Sequence, residues 1–162
     1  MILVTIGTNE QPFDRLVLAA AALDTDERMI VQYGSSRAVE PREDWVDFLP
    51  YDELSALASE ARVVICHAGV GSILMARRAG ARTIVMARRV ALGEAVDDHQ
   101  LGLAQRLADS GLVTLVDTDA ELAEAVRLAR PGAAVGTFGT AGMPGADALA
   151  ADLRKQLQLL PA

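Results

Sequence analysis

Arg62-Val63-Val64-Ile65-Cys66-His67-Ala68-Gly69-Val70-Gly71-Ser72-Ile73-Leu74-Met75-Ala76-Arg77-Arg78-Ala79-Gly80 is the stretch that decides the fold. Val63 to Cys66 is a short apolar, β-branched run, the signature of a buried strand. His67 to Gly71 is a tight glycine turn. Ser72 to Ala79 has helical composition and stops at Gly80, a good residue for the position after a helix end. Strand, glycine turn and helix start together make an anion site. Glycines let backbone N–H groups approach a phosphate, and the helix N-terminus adds unpaired donors and a favourable dipole. The plainer reading is an ordinary strand-to-helix turn with Ser72 as its N-cap. The familiar phosphate fingerprints do not fit. G-x-G-x-x-G needs glycine where Leu74 stands, and the other P-loop pattern needs a lysine that the turn lacks.

Outward from this stretch, strands and helices alternate. Ile2 to Ile6 reads as the first strand, followed by the polar loop Gly7-Thr8-Asn9-Glu10-Gln11. Pro12 suits the first turn of a helix whose apolar face is Leu16, Val17, Ala20 and Leu23. Arg28 to Tyr33 and Trp45 to Leu49 read as strands two and three, and Asp52 as the cap of a short helix through Glu60. Thr83 to Met86 is strand five. A long polar loop from Ala87 to Asp98 precedes a helix over Gln100–Ser110, which Gly111 ends. Leu112 to Val116 is strand six, and Thr118-Asp119-Ala120-Glu121 is a capping box opening a helix to Ala129. The alternation predicts an α/β fold, one doubly wound parallel sheet of about six strands in the order 3-2-1-4-5-6. In that order the chain reverses between strands one and four, and ligands bind there at the carboxyl ends of the strands. Gly7-Thr8-Asn9 and His67 to Ser72 are the loops on that crevice.

Residues 1–130 are expected to form this domain, 131–145 a flexible linker rich in glycine, alanine and threonine, and 146–162 a final helix. The stripe Leu149, Leu153, Leu157 and Leu160 on that helix can fold back or dock on a partner. At 162 residues the chain has room for one domain with a real core. Its net charge of −7 disfavours a nucleic-acid partner. A single cysteine excludes an internal disulfide and fits a reducing, cytoplasmic compartment. Met1 opens directly into the first strand, so no signal peptide is expected. No apolar run is long enough to span a membrane.

The chain has two histidines, His67 and His99, and both fall on ligand-side loops. Gln100 beside His99 offers an amide able to bind two hydroxyls at once, as on a sugar ring. Each histidine alone reads equally well as a surface or capping residue. Cys66 precedes His67 on a strand, so the two side chains point to opposite faces and do not form a nucleophile pair. Cys66 reads as a small buried hydrophobe. Asp24-Thr25-Asp26 and Asp117-Thr118-Asp119 resemble metal motifs, but the first lies on the wrong sheet edge and the second belongs to the capping box, so no metal is expected. Arg88 and Arg89 follow strand five near the crevice, where they can neutralise a diphosphate or meet anionic lipid heads. Arg77 and Arg78 read as a solvated helix face.

These residues resemble a known family, the donor-binding half of GT-B glycosyltransferases of the family 28 type. The matching pieces are M-I-L-V-T-I-G-T-N at the start, F-L-P-Y-D-E-L at Phe48 to Leu54, C-H-A-G-V-G-S-I-L at Cys66 to Leu74 and D-D-H-Q at Asp97 to Gln100. The resemblance covers about Met1 to Ala129 at the expected spacing. It extends to small proteins that carry only that half. These include the soluble subunit of the two-subunit N-acetylglucosaminyltransferase of dolichol-linked sugar synthesis and donor subunits of bacterial polysaccharide synthesis. The resemblance implies a Rossmann-like domain that holds a nucleoside-diphosphate sugar, UDP- or dTDP-linked. The backbone at Leu49 would meet the base. His67, Gly69, Gly71 and Ser72 would hold the diphosphate, His99 and Gln100 the sugar, and Asn9 would lie near the reacting carbon. It also implies an inverting displacement without cofactor or metal, with helix-end N–H groups stabilising the leaving diphosphate. A membrane-anchored partner subunit would supply the acceptor side, a lipid-linked sugar at the cytoplasmic face. The catalytic base stays unassigned.

One departure from the family stands out. Relatives that use UDP-sugars often carry a glutamate where this chain has Met75, and that carboxylate binds the ribose hydroxyls. Methionine cannot accept those bonds, so the donor here is expected to lack the 2′-hydroxyl, as dTDP-sugars do, or to be held loosely at ribose; Met75 also reads as a plain core residue. Two other readings stay open. One is a non-catalytic nucleotide-sugar-binding regulatory module. The other is a self-sufficient transferase whose homodimer builds the acceptor cleft.

Overall fold

The structure is a computed structural model that describes residues 1–97 and 99–129. The expected linker at 131–145 and helix at 146–162 lie outside the described residues. Six parallel strands form one sheet in the order β3-β2-β1-β4-β5-β6. They are β1 (Ile2–Thr5), β2 (Met29–Gln32), β3 (Trp45–Val46), β4 (Val63–His67), β5 (Arg82–Met86) and β6 (Thr114–Val116). The helices are α1 (Asp14–Ala21), α2 (Tyr51–Glu60), α3 (Val70–Arg78), α4 (His99–Asp109) and α5 (Asp119–Leu128). β1 pairs in register with β2 on one side and β4 on the other, Val4 opposite both Val31 and Ile65. The order is the one the alternating pattern predicts, with the reversal between β1 and β4.

The period-two alternation of the strands divides the core into two halves. Leu3, Val64, Cys66 and Val85 face the layer of α2, α3 and α4, where Leu54, Ile73, Met75, Leu103 and Leu107 pack. Ile2, Val4, Ile65, Ile84 and Met86 face α1 and α5, against Leu16, Val17, Leu122 and Val126. Burying both faces is what a parallel sheet requires, and it explains the continuous apolar runs.

Several elements differ from the sequence reading at their ends. β3 is two residues long rather than reaching Leu49, because Phe48 turns out to solvent, 59% exposed. β6 begins at Thr114 rather than Leu112, because the Leu112 amide donates to Leu107 O (2.9 Å) and closes the end of α4. Gly111, at φ +68°, makes that reversal in the left-handed region. Asp52 does not cap α2. The helix starts at Tyr51 after Pro50, and Asp52 with Glu53 sits in the first turn, where carboxylates favour the dipole. The α5 capping box forms as read, with Glu121 N donating to Thr118 Oγ1. Among the described residues, no helix is long and apolar enough to cross a membrane.

Candidate functional site

At the carboxyl ends of β1, β2 and β4 the structure opens a cavity of about 330 Å3. It sits at the reversal point of the sheet, where an open α/β fold places its ligand. The loop after β1 contributes Gly7 and Thr8, and β4 with the start of α3 contributes His67, Gly71 and Ser72. Leu49, Phe48 and Tyr51 line the opposite side, and Met75 with Leu54 forms an apolar part of the wall. Phe48 and Tyr51 stay more than half exposed (59% and 58%), which puts them at the mouth. No lining residue among those described is a carboxylate, although the chain carries a net charge of −7.

The start of α3 lies at this space, with Gly71 and Ser72 in its lining. α3 begins at Val70, two residues before the expected Ser72, and its N-cap is Gly69 with no side-chain cap. Ser72 is therefore a helical residue and not the cap. The first amide to find an intrahelical carbonyl is Ile73, on Gly69 O at 3.1 Å. The amides of Val70, Gly71 and Ser72 thus have no helical acceptor and are available to an anion.

His67 is the centre of the cradle. It is the last residue of β4, and its ring lies between two glycines. A β-carbon placed on Gly7 would come within 2.4 Å of His67 Cε1, and one on Gly69 within 2.2 Å of His67 Nε2. Gly7 also adopts φ +78°, which a side chain would strain. Burial, and next the positive charge of Arg88, push the His67 imidazole down to about 4, while a backbone hydrogen bond at Thr5 opposes them. The ring is therefore neutral at pH 7, with one N–H to donate and one nitrogen to accept. Its Nδ1 is buried and has no hydrogen-bond partner among the described residues. Gly71 behaves differently from Gly69: nothing lies within 4 Å of where its β-carbon would stand.

The remaining predicted residues are placed as follows. Leu49, His67, Gly71 and Ser72 meet in the cavity; Gly69 is beside them, under the imidazole. Asn9 does not line the cavity. It is exposed, and its Oδ1 accepts from Gln11 N at 2.9 Å, which folds the loop after β1. His99 and Gln100 do not line it either. His99 opens α4 with its side chain 85% exposed and its Nδ1 3.2 Å from Asp97 Oδ1, while Gln100 Oε1 is buried without a partner among the described residues. Cys66 is fully buried on the opposite strand face, and burial pushes its thiol up to about 12. The described residues hold no cluster of His, Cys, Asp and Glu fit for a metal.

Two arginine readings need correction. Arg77 is not solvated: it is 8% exposed, while Arg78 is exposed as expected. Arg88 cannot neutralise a ligand from its present position, because it is 1% exposed and its guanidinium is bonded to backbone carbonyls. Arg89 bonds the Asp117 carboxylate (2.6 and 2.8 Å). The loop after β5 is also more than a polar connection. Glu94, 7% exposed, takes a forked pair of bonds from Arg15 of α1 (2.8 and 3.0 Å), and Arg15 continues to Asp117. Sequence reasoning placed Thr8 on the crevice loop but gave it no role, and passed over Gln11 and the buried pair Thr5–Gln32 (2.6 Å). Gln11 Oε1 is a buried acceptor without a partner among the described residues. The Glu10-Gln11-Pro12 run gave no periodic signal that could have marked it.

Comparison with known proteins agrees with this geometry. The family described as glycosyltransferase family 28 C-terminal domain matches residues 1–134. Among solved structures, the calicheamicin glycosyltransferase CalG4 superposes with a TM-score of 0.62 at 19% identity, over 99% of this chain and 44% of that one. MurG of Acinetobacter baumannii gives 0.58 at 22% identity, over 96% of this chain and 49% of that one. The solution structure of ALG13 gives 0.56 at 21% identity, over 91% of this chain and 93% of that one. The chain thus spans under half the length of CalG4 and MurG but nearly all of the ALG13 chain. No curated protein matches it significantly by sequence.

Proposed function

The chain belongs to the glycosyltransferase family 28 C-terminal domain family, and from that premise we propose that it binds the nucleoside-diphosphate sugar donor of a glycosyl transfer. One observation carries the reading. A cavity with no carboxylate among its described lining residues, in an acidic chain, adjoins helix-start amides without helical acceptors and a neutral, buried histidine whose Nδ1 has no partner among the described residues. Such a site fits a diphosphate, and the apolar wall of Leu49, Leu54 and Met75 fits a nucleoside.

The reaction proposed is an inverting displacement. An acceptor hydroxyl attacks the anomeric carbon, and the bond from that carbon to the diphosphate oxygen breaks. Its electron pair stays on the diphosphate, where the amides of Val70, Gly71 and Ser72 and the His67 ring offset the charge. The hydroxyl proton goes to a base on a separate acceptor-binding subunit, since no carboxylate lines the cavity among the described residues and His67, pushed down to about 4 by its surroundings, is a weak base. That partner is proposed to be membrane-anchored and the acceptor lipid-linked, with this chain at the cytoplasmic face. The likeness of fold to ALG13 over most of both chains is compatible with a donor-binding domain of this size. His99 and Gln100, which open α4, are assigned the sugar in this reading.

Met75 sharpens the donor choice. It is 2% exposed and lines the cavity, and its thioether accepts hydrogen bonds only weakly, so it offers a ribose 2′-hydroxyl little in place of a carboxylate. The preferred donor is therefore a dTDP-sugar. Calorimetric titration with UDP and dTDP tests both levels of the proposal. Tighter dTDP binding is expected; a clear preference for UDP would overturn the base assignment, and no binding of either would remove the site. Release of nucleoside diphosphate only in the presence of a co-expressed membrane partner is expected. Binding without turnover under any pairing would favour the regulatory-module reading.

A further inference from the structure

Arg88 is the largest side chain that is fully buried, at 1% exposure. Its Nη1 donates to Gln11 O (2.9 Å), Pro12 O (3.1 Å) and Glu94 O (3.0 Å), and its Nη2 to Ile6 O (3.1 Å). The guanidinium carbon lies 4.6 Å from the centroid of the Phe13 ring. Three of the four carbonyls bracket the loop after β1, on either side of Gly7 and Thr8; the fourth is in the loop after β5. No carboxylate bonds to Arg88 among the described residues.

Burying a guanidinium without a bonded carboxylate is costly, and an apolar side chain of similar volume is generally the more stable filling. Stability alone therefore does not account for Arg88. What it does geometrically is fix where the loop of Gly7 and Thr8 stands. We propose that Arg88 is a positioning residue for the donor site, holding the loop after β1 against the imidazole of His67 so that the diphosphate cradle is preformed. The proposal rests on the donor-binding reading for its functional consequence, though not for its geometry.

A forked donor is needed for this task. Lysine presents a point charge on a flexible stem and lacks the second nitrogen by which Arg88 holds Ile6 O while Nη1 holds the others. The charge has a second effect. Among the described residues, Arg88 is the one charged group acting on His67, whose ring also lies against Gly7 and Gly69. Removing the charge should let the ring protonate more readily, while keeping it without the fork should not.

The test uses the full chain with Arg88→Lys and Arg88→Met, and with Arg62→Met at the opposite sheet edge as a structural control. With two histidines in the chain, the His67 imidazole can be followed directly by NMR titration. Arg88→Lys is expected to shift the amide resonances of Gly7 and Thr8, leave His67 titrating as in the wild type, and weaken binding of whichever of UDP and dTDP binds by about fivefold to tenfold. Arg88→Met is expected to do the same and to raise the His67 midpoint. Arg62→Met is expected to lower the urea midpoint with nucleotide affinity unchanged. Unmoved Gly7 and Thr8 resonances in a folded Arg88→Lys protein would overturn the proposal, as would an affinity loss in Arg62→Met that matches its loss of stability. If the wild type binds neither nucleotide, the donor reading fails, while the resonances still decide the role of Arg88.

Discussion

Along α5 and the amino edge of the sheet runs a groove of about 860 Å3, while the carboxyl edge holds the cavity of about 330 Å3. By size alone the groove would be the binding site. Four of its charged groups, however, already serve one another in pairs. Glu27 bonds Arg62 and lies 3.5 Å from the chain's amino group, and Glu124 bonds Arg127 at 2.6 Å. The Arg62 guanidinium holds the Glu27 carboxyl below its usual range, as expected for a satisfied pair. In the smaller cavity the helix amides lack helical acceptors, His67 Nδ1 lacks any partner among the described residues, and no carboxylate repels an anion. Unused hydrogen-bonding capacity, and not volume, separates a site from a gap between elements.

The strongest test of this contrast is acid. Folded His67 titrates near 4, below the ordinary histidine value of about 6.5, so the unfolded chain takes up its proton first. Stability is then full above about pH 6.5 and falls as the pH drops toward 4, by on the order of 3 kcal/mol from this group. Urea unfolding across that range should show the slope, and His67→Gln should flatten it. The carboxylates of the amino-edge groove should act only at lower pH, since Arg62 holds Glu27 below its usual value.

Next in size is Gly69→Ala. The new methyl meets an imidazole that cannot retreat, because Gly7 packs on its other side. A loss of about 1–3 kcal/mol is expected from overpacking, together with loss of nucleotide binding. Adding His67→Ala should recover much of the stability and none of the binding. Gly71→Ala should separate the two quantities in the opposite sense. Its methyl enters open space on a helix, so stability should hold or rise by up to about 1 kcal/mol, while nucleotide affinity falls about tenfold. The smallest effect belongs to the amino edge. Arg28 pairs with Asp44 in the open, and Arg28→Ala should leave both the urea midpoint and nucleotide titration unchanged. A drop in affinity there would break the contrast between the edges.

The sheet was legible because its physics is repeated six times. Runs such as Val63-Val64-Ile65-Cys66 must be buried on both faces, and their alternation with amphipathic helices leaves few parallel topologies. The glycine turn was legible as an anion cradle for the same local reason. Its details were not. Ser72 looked like a cap because hydroxyls often cap helices, yet the backbone enters α3 at Val70 behind Gly69. The charged loops misled most. A buried arginine bonded mostly to carbonyls of the loop after β1, some eighty residues earlier, leaves no periodic mark, so Arg88 read as a cation near the crevice, free for a diphosphate or lipid heads. Glu94 and Asp117 meet through Arg15, which belongs to a helix far earlier in the chain. Such pairings are decided by tertiary placement, and neither periodicity nor composition encodes them.

Cys66 has a practical consequence. The one thiol of the chain is sealed on the far face of β4, and burial keeps it protonated at any ordinary pH. The unaltered protein should therefore be silent toward alkylating reagents. A single cysteine introduced in place of exposed Thr8 would then be the sole reactive atom, and its protection by a bound nucleotide would report occupancy in real time without any knowledge of the sugar.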